Sequence, residues 1–275
     1  MEKIEFIINE NIDLIKALRK ALPLLSNYQI EKLFKDKDVK VNGVRKTKSC
    51  IVKNGDKIEA FYKANLEPWY EVLYEDDNVL LVNKRAGIEV VSEDNRNLLD
   101  ILKLQHNQLY AVHRIDRNTQ GIVVFAKNNV SECELLEAFK KRTIIKKYLL
   151  KVKGKVQIEA IKHRMFLKKL SENSKVLISE IKTSGYEEIV THFGLIKYLN
   201  NETILQAELV TGKTHQIRAH IAYFGYPIVG DGKYGLGGDI MCLTAYHMGF
   251  NFPKKSTLEY LNDKTFEIVP VWWQD

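Results

Sequence analysis

The order of apolar patterns along the chain limits its fold more than any other feature. From Tyr70 onward, short β-rich segments and helical patterns follow one another without a strict β-α-β repeat. A strict repeat predicts a parallel sheet, whereas this irregular mixture predicts an α+β domain around a mixed sheet. We expect strands at Val79–Val82, Leu109–His113, Gly121–Ala126, Tyr148–Val152 and Thr203–Leu209, and helices at Val130–Lys141 and Thr214–Phe224.

Residues 1–62 have their own apolar pattern, which predicts a separate helix–hairpin unit. An opening strand at Lys3–Ile8 precedes two helices, with a break at Pro23–Asn27 and Ser26 as cap of the second helix. Short strands and Asn-Gly turns follow, at Val39–Val41, Asn42-Gly43, Asn54-Gly55 and Asp56–Phe61. Residues 63–69 form a predicted linker, which leaves residues 70–275 as the larger domain.

The charge balance favours a polyanionic partner. Lys and Arg number 42 against 35 Asp and Glu, which gives a net charge of +7. The segment FKKRTIIKKYLLKVKGK, from Phe139 to Lys155, holds eight basic residues and no acidic one. A solvated surface would also explain such a run, but here the charges interleave with a strand and would lie in a row on one of its faces.

Other features of the composition narrow the class of protein. Three cysteines are far apart, so no disulfide framework or metal knuckle can be read from Cys50, Cys133 and Cys242. No segment has the length and apolarity of a signal peptide or membrane span. We expect a monomer in the cytoplasm, with no membrane partner.

Asp116 lies where a reacting group could be held rigidly. In LYAVHRIDRNTQGIVVFAKN, a predicted strand ends near Arg114, a polar loop follows, and Gly121 reverses the chain into the next strand. Arg114 and Arg117 flank Asp116 and should favour its ionised form. By itself, such an Asp is more often part of a surface ion pair.

Four motifs, in order along the chain, resemble those of the RluA-type pseudouridine synthases. The first is H-R-I-D-R-N-T-Q-G-I-V-V-F-A-K around Asp116, and the second is the strand that begins Lys147-Tyr148 and ends at Gly154. The third is L-x-T-G-K-T-H-Q-I-R, ending at Arg218, and the fourth is G-D-x-x-Y-G from Gly230. Residues 1–62 resemble the small S-four RNA-binding domain, through L-x-x-x-L-R-x-x-L-P-L-L-S, V-x-V-N-G and G-D-x-I.

The resemblance implies an RNA-modifying isomerase with a largely antiparallel central sheet flanked by helices. Such an enzyme converts uridine to pseudouridine with one carboxylate in a water-poor pocket, and it needs no cofactor or metal. Asp116 is the implied carboxylate. It could attack the uracil ring, attack the sugar carbon, or remove a proton to give a glycal-like intermediate.

The family's pattern assigns further roles residue by residue. Arg218 would pair with Asp116 as a bidentate cation, Tyr148 would stack on the uracil, and Arg114 would fill the gap left by the flipped base. Substrate or RNA contacts are also expected from His113, Arg117, Lys147, His215 and Ile217. In the predicted helix, Thr214 would be the N-cap, Ile217 would face the core with Ile221 and Phe224, and His215 would share the other face with Arg218.

Some positions depart from the pattern, and other classes of protein compete with this interpretation. Arg85 stands where the family usually has Pro, Lys213 replaces Arg, and Thr244 occupies a position that is often His. A noncatalytic RNA-binding protein would keep the same basic surface. A metallohydrolase would need compact histidine spacing and a glycoside hydrolase a pair of carboxylates. Large-subunit ribosomal RNA is the expected target, with transfer RNA as the alternative.

Overall fold

The computed structural model describes residues 2–22, 25, 27–62, 69–93, 97–170 and 175–273. Within it the chain forms two compact units, one from the described residues of Met1–Trp69 and the other from those of Tyr70–Glu93 and Asn97–Asp275. The predicted linker lies outside the described residues except for Trp69. No helix in the described ranges is long and apolar enough to cross a membrane.

The smaller unit combines two helices with short strands around one apolar core. Asp13 caps α1, because its carboxylate accepts bonds from the amides of Ile15 (3.0 Å) and Lys16 (3.4 Å). The core includes Leu14 and Leu18 from α1 and Ile30 from α2. Its elements are β1 (Glu2–Ile7), β2 (Ile12–Asp13), α1 (Leu14–Ala21), α2 (Asn27–Lys35), β3 (Val39–Val41), β4 (Val44–Lys46), β5 (Ile51–Val52) and β6 (Lys57–Tyr62).

Strand pairing in the smaller unit is antiparallel, with a sheet in the order β1-β6-β3-β4 and a separate β2-β5 pair. The predicted turn at Asn42-Gly43 is confirmed, since it joins β3 to β4 and both residues have positive φ angles of 50° and 79°. Pro23 and Ser26, on which the predicted break and cap depend, lie outside the described residues.

The larger unit is built on one long sheet, which runs in the order β13-β12-β14-β15-β11-β16-β10-β8-β7, with β17 beside β16 and β9 beside β10. Among the described strands, the β10–β16 pair is parallel and the others are antiparallel. Its strands are β7 (Tyr70–Glu75), β8 (Val79–Lys84), β9 (Tyr110–Ala111), β10 (Gln120–Ala126), β11 (Ile145–Lys153), β12 (Arg164–Lys169), β13 (Val176–Ser179), β14 (Glu187–Tyr198), β15 (Glu202–Leu209), β16 (Leu243–Gly249) and β17 (Thr265–Glu267). Its helices are α3 (Leu98–Leu102), α4 (Asn129–Lys141) and α5 (Gln216–Tyr223). The predicted mixed α+β architecture is confirmed.

Gly121 is the residue at which the two strands of the parallel pair come closest. It lies opposite Ala245 with φ at +137°, and a β-carbon at Gly121 would be 2.4 Å from the Ala245 carbonyl oxygen. An L-residue with a side chain would therefore push β10 and β16 apart. The glycine that follows the Asp116 loop is thus required by the sheet.

The strand predicted at Leu109–His113 is wrong over part of its length. Only Tyr110–Ala111 pairs with β10, opposite Ala126 and Phe125. His113 instead turns its ring toward β10 and accepts a bond from the Val124 amide through Nε2 at 3.0 Å. A side chain therefore takes the place of a ladder bond here and ends the strand early.

Candidate active site

The loop that carries Asp116 is fixed to the turn after β8 by a buried lysine. Lys84 is fully buried, and its Nζ donates to the carbonyl oxygens of Arg85 (2.8 Å), Ile88 (2.8 Å) and Arg117 (3.1 Å). Burial lowers the pKa of Lys84 to about 7, while the charge of Asp116 opposes that shift. Because three carbonyls surround the ammonium group, Lys84 holds the loop in place as a cation.

A second anchor is the entry to α5, which is held by Gln216. The Gln216 Oε1 accepts from the Thr211 hydroxyl (2.9 Å) and the Lys213 amide (3.0 Å), while its Nε2 donates to the Thr191 hydroxyl (3.0 Å). The chain consequently enters the helix at His215, which is in the left-handed region with φ of 54°. The prediction that Thr214 caps this helix is wrong.

The two-faced pattern predicted for α5 is also wrong. Its six consecutive residues from Gln216 to Ile221 are all buried. Ala219 and Phe224 pack on the β12–β13 hairpin, whereas Ile217 and Arg218 line the cavity beside Asp116. Because these six residues are buried, the guanidinium group of Arg218 must find its partners within the same unit.

Arg218 lies between two carboxylates. Its Nη1 donates to Asp116 Oδ2 at 2.8 Å, while its Nε and Nη2 donate to the two oxygens of Asp231 at 2.8 and 2.9 Å. The predicted pairing with Asp116 is confirmed, but the bidentate partner is Asp231. Burial lowers the pKa of Arg218, but the bonds to Asp231 and Asp116 outweigh this effect and raise it above its ordinary value.

The turn after Gly230 shapes the site around Asp231. Asp231 is 1% exposed and also accepts bonds from the amides of Lys233 (2.8 Å) and Tyr234 (3.2 Å). A β-carbon on Gly230 would lie 1.8 Å from the Ile240 carbonyl oxygen, so this turn requires glycine. Burial raises the pKa of Asp231, but bonds from Arg218 and the two amides bring it below its usual value.

His215 is the second cation-capable group near Asp116. Its Nε2 lies 3.8 Å from Asp116 Oδ2, and its Nδ1 is 3.0 Å from the Tyr234 hydroxyl. That hydroxyl accepts from the Val176 amide at 3.0 Å, so its own proton is free to go to Nδ1. Burial lowers the pKa of His215, while the charge of Asp116 opposes that shift.

Tyr148 lies on β11 with its ring at the same cavity. The side chain is 8% exposed, and burial together with the charge of Asp116 raises the pKa of its phenol well above the usual range. Tyr148 is therefore a neutral phenol at any pH where RNA is stable. It offers an aromatic face and a hydroxyl that keeps its proton.

The two arginines that flank Asp116 in sequence are not its ion-pair partners. Arg114 and Arg117 are both exposed, and the Arg117 Nε donates to the Gly87 carbonyl oxygen at 3.0 Å. Arg114 lines the cavity mouth, where an RNA strand could reach it. The carboxylate thus depends on Arg218, more than a hundred residues away along the chain.

His113 and Lys147 are placed differently from the prediction. The His113 ring stacks on Phe139 with centroids 4.6 Å apart, and burial lowers its pKa to about 3, so it lines the cavity as an uncharged ring. Lys147 projects from the face of β11 opposite Tyr148, while Lys146 and Tyr148 share the cavity face. The strand period explains why the neighbouring lysine takes the predicted position.

These groups surround an open cavity of about 500 Å³, which suits a single nucleoside. A second cavity of about 640 Å³ meets it at Asp116, His215 and Arg218. In the described ranges, no three His, Cys, Asp or Glu side chains are close enough to hold a metal ion. What the site offers is a paired carboxylate beside a buried aromatic ring.

Sequence reasoning missed several residues of this site. Asp231 and Tyr234 belong to the G-D-x-x-Y-G motif, and Lys84 lies one residue before Arg85. The sequence therefore pointed to these positions, but it did not predict what their side chains do. The departure at Thr244 has a structural partner, since its hydroxyl accepts a bond from the Trp272 indole at 3.0 Å. Trp272 thereby occupies space near the parallel strand pair.

Comparison with known proteins identifies the class. Residues 78–223 match the family model described as RNA pseudouridylate synthase. The chain is 34% identical over 246 residues to "Ribosomal large subunit pseudouridine synthase C" of Rickettsia felis, with 80% of each chain covered. It is 30% identical to "Uncharacterized RNA pseudouridine synthase YhcT" of Bacillus subtilis, covering 89% of this chain and 86% of the relative.

A solved structure agrees on the fold. "Human RNA Pseudouridylate Synthase Domain Containing 1" superposes with a TM-score of 0.58 at 20% identity, covering 73% of this chain and 82% of the human one. The chain belongs to the RNA pseudouridylate synthase family, and its motifs are of the RluA type. It is therefore an enzyme that acts on RNA.

Proposed function

We propose that this enzyme isomerises uridines in large-subunit ribosomal RNA and that Asp116 is the reacting carboxylate. The observation that carries the proposal is the Asp116–Arg218 pair, whose Oδ2–Nη1 distance is 2.8 Å, at the wall of a nucleoside-sized cavity. The reaction breaks the bond from C1′ to N1, rotates the base and joins C1′ to C5; C5 then loses its proton to solvent and N1 takes one up, so the product is an isomer of uridine. One oriented carboxylate is enough for each of the three routes open to Asp116.

The surrounding residues have distinct roles in this proposal. Arg218 keeps Asp116 ionised and oriented, Tyr148 supports the uracil ring, and the His215 Nε2 lies beside the same carboxylate oxygen, at 3.8 Å. Ile217 narrows the cavity beside the base. Arg114 and Arg117 lie outside, where their charges can hold the RNA strand from which the uridine has turned out.

The choice of ribosomal RNA follows from the similarity to the Rickettsia felis protein, which is a ribosomal large subunit pseudouridine synthase. Residues 1–62 support it as an S-four-like RNA-binding domain, with nine Lys and Arg against four Asp and Glu from Glu31 to Lys57. Transfer RNA is the competing target. We further propose that the protein acts as a monomer in the cytoplasm.

Tritium release from RNA labelled at C5 of uridine tests the chemistry. Wild-type protein should release tritium from large-subunit ribosomal RNA transcripts, and Asp116→Asn should release none, because an amide cannot act as nucleophile or base. Asp77→Asn, at an exposed turn of the same domain, is the matched control and should behave as wild type. Release from transfer RNA alone would overturn the target, and equal release by Asp116→Asn would overturn the role of Asp116.

A further inference from the structure

Two cations at one wall of the active-site cavity have no acidic partner in the part of the chain that the structure describes. Lys146, on β11, and Arg142, at the end of α4, both line it, and within the described residues neither side chain forms an ion pair. Two of the acidic residues around the cavity are already paired, Glu187 with Lys213 and Asp116 with Arg218. The third, Glu188, lies 3.7 Å from Arg164.

Lys146 is held in place by neutral groups. Its Nζ lies 5.5 Å from the centroid of the Phe139 ring, which itself stacks on His113. A β-carbon built on Gly212 would be 3.6 Å from the same Nζ, so the ammonium group lies beside the turn that leads to His215. Burial, and then the charge of Arg142, lower the pKa of Lys146. A cation in such surroundings is poised to take up an anion.

Arg142 is in a strained conformation at this wall. It ends α4 in the left-handed region with φ of 61°, where glycine is the common residue, while the Thr143 amide closes the helix on the Ala138 carbonyl at 3.0 Å. An arginine in that conformation costs backbone energy, and here its side chain lines the cavity. β11 begins at Ile145, so the short connection brings both cations to the same side.

We propose that Lys146 and Arg142 bind the phosphate next to the target uridine. Lys146 and Tyr148 are two residues apart on one face of β11, a separation of about 7 Å. This is comparable to the span between a nucleobase and its own backbone phosphate. When the uracil lies against Tyr148, a phosphate of the same nucleotide can therefore reach the Lys146 ammonium group.

The inference rests on the proposed function, since it assigns a binding site to the phosphate of the same nucleotide whose uracil lies against Tyr148. Phosphate binding fixes the sugar relative to Asp116, so the uridine is oriented from both ends before the glycosidic bond breaks. The phosphate on the 5′ side and that on the 3′ side have the same chemistry. The test separates them.

A chemical double-mutant cycle provides the test. RNA oligonucleotides that contain the target uridine would carry an uncharged methylphosphonate linkage on its 5′ side, on its 3′ side, or nowhere. We expect kcat/KM of the wild-type enzyme to fall roughly tenfold with one of the two replacements, as for the loss of a charged hydrogen bond. Lys146→Met should show that loss on unmodified RNA and no further loss when the same linkage is uncharged.

Matched variants make the outcome specific. Lys147→Met removes a charge from the opposite face of β11 and should keep the wild-type response to both linkages, while Lys146→Arg should restore most of the activity. Lys146→Met should melt no lower than wild type, because it removes a half-buried cation that forms no ion pair with the described residues. The proposal would be overturned if the uncharged linkage lowered kcat/KM of Lys146→Met by the same factor as that of the wild type. It would also be overturned if the wild type responded to neither linkage. Activity of the wild type on unmodified RNA reports the proposed function separately.

Discussion

Arg218 donates two guanidinium nitrogens to Asp231, at 2.8 and 2.9 Å, and one to Asp116, at 2.8 Å. The Asp231 side chain is 0% exposed, whereas the Asp116 side chain is 24% exposed. Asp231 therefore fixes the orientation of the guanidinium group, and the remaining nitrogen is directed to the carboxylate that can reach a substrate. The arginine works as a rigid link between a buried anchor and the cavity.

Replacing Arg218 should damage both stability and turnover. Arg218→Met leaves the buried Asp231 unpaired, at a cost of about 3–5 kcal/mol in the free energy of unfolding, and should abolish nearly all turnover with little change in RNA affinity. Urea unfolding, tritium release and RNA binding measure the three effects. The double variant Arg218→Met/Asp231→Asn should recover part of the stability but no activity. Arg164→Met, at an exposed pair, should lose at most about 1 kcal/mol.

His220 should make the stability depend on pH. His220 is fully buried on α5, and this burial lowers the pKa of its ring from 6.5 to about 4. The hydrogen bond to the Lys162 carbonyl oxygen raises the pKa, and the charge of His163 lowers it, but both effects are smaller than that of burial. Between pH 6.5 and 4 the unfolded chain binds a proton that the native ring refuses. Stability should consequently fall as the pH drops through that window, by about 1.4 kcal/mol per pH unit.

Urea unfolding between pH 4 and 8 measures this slope. His220→Gln should lose the part of the pH slope that His220 contributes, whatever the effect of the substitution on stability at pH 7. His192→Gln, an exposed histidine of the same unit, is the control and should keep the wild-type slope. An unchanged slope in His220→Gln would show that this ring is not the group responsible.

Gly121 should tolerate no side chain. Gly121→Ala places a β-carbon 2.4 Å from the Ala245 carbonyl oxygen, so β10 and β16 must separate, and we expect a loss of roughly 3 kcal/mol in the free energy of unfolding. Gly194→Ala should change stability by less than about 0.5 kcal/mol, because its β-carbon would meet no described residue within 4 Å apart from its two chain neighbours. Urea unfolding of both variants compares them. Equal stabilities would mean that the parallel pair adapts to a side chain.

Removing residues 1–62 should weaken RNA binding and reduce its dependence on salt. For every RNA phosphate that these residues neutralise, the truncation should lower the slope of log K against log salt by about 0.7–0.9. Salt titrations of full-length and truncated protein on one RNA measure this, with a thermal melt to check that the remaining chain is folded. Equal slopes and affinities would contradict an RNA-binding role for the N-terminal unit.

The sequence predicted those parts of the site that local patterns carry. Asp116 was recognisable from a polar loop between β-rich segments together with a motif, and Arg218 from a second motif. The same signals could not show that Arg218 directs two of its three donor positions to Asp231, because that choice depends on how the turn after Gly230 packs. The motifs identified Asp116 and Arg218 as partners, whereas the fold added Asp231 and decided the geometry.

Short-range rules failed where a side chain replaced a backbone bond. Thr214 has the composition of an N-cap, but Gln216 bonds back to Thr211 and moves the helix entry to His215. The strand expected at Leu109–His113 is shortened because the His113 ring accepts the Val124 amide. Both events involve residues that propensity treats as ordinary, and tertiary contacts decide them.

The parallel pairing of β10 with β16 joins two antiparallel halves of the long sheet. Asp116 precedes β10 in the first half, while Arg218 and Asp231 belong to the second, between β15 and β16. Neither half contains a complete site, so the Asp116–Arg218 bond can form only after the two halves have closed across this seam. Loop-closure entropy makes such a long-range contact late in folding. A chain whose larger unit is not fully folded would be unable to isomerise uridine, and catalytic competence would coincide with completion of that fold.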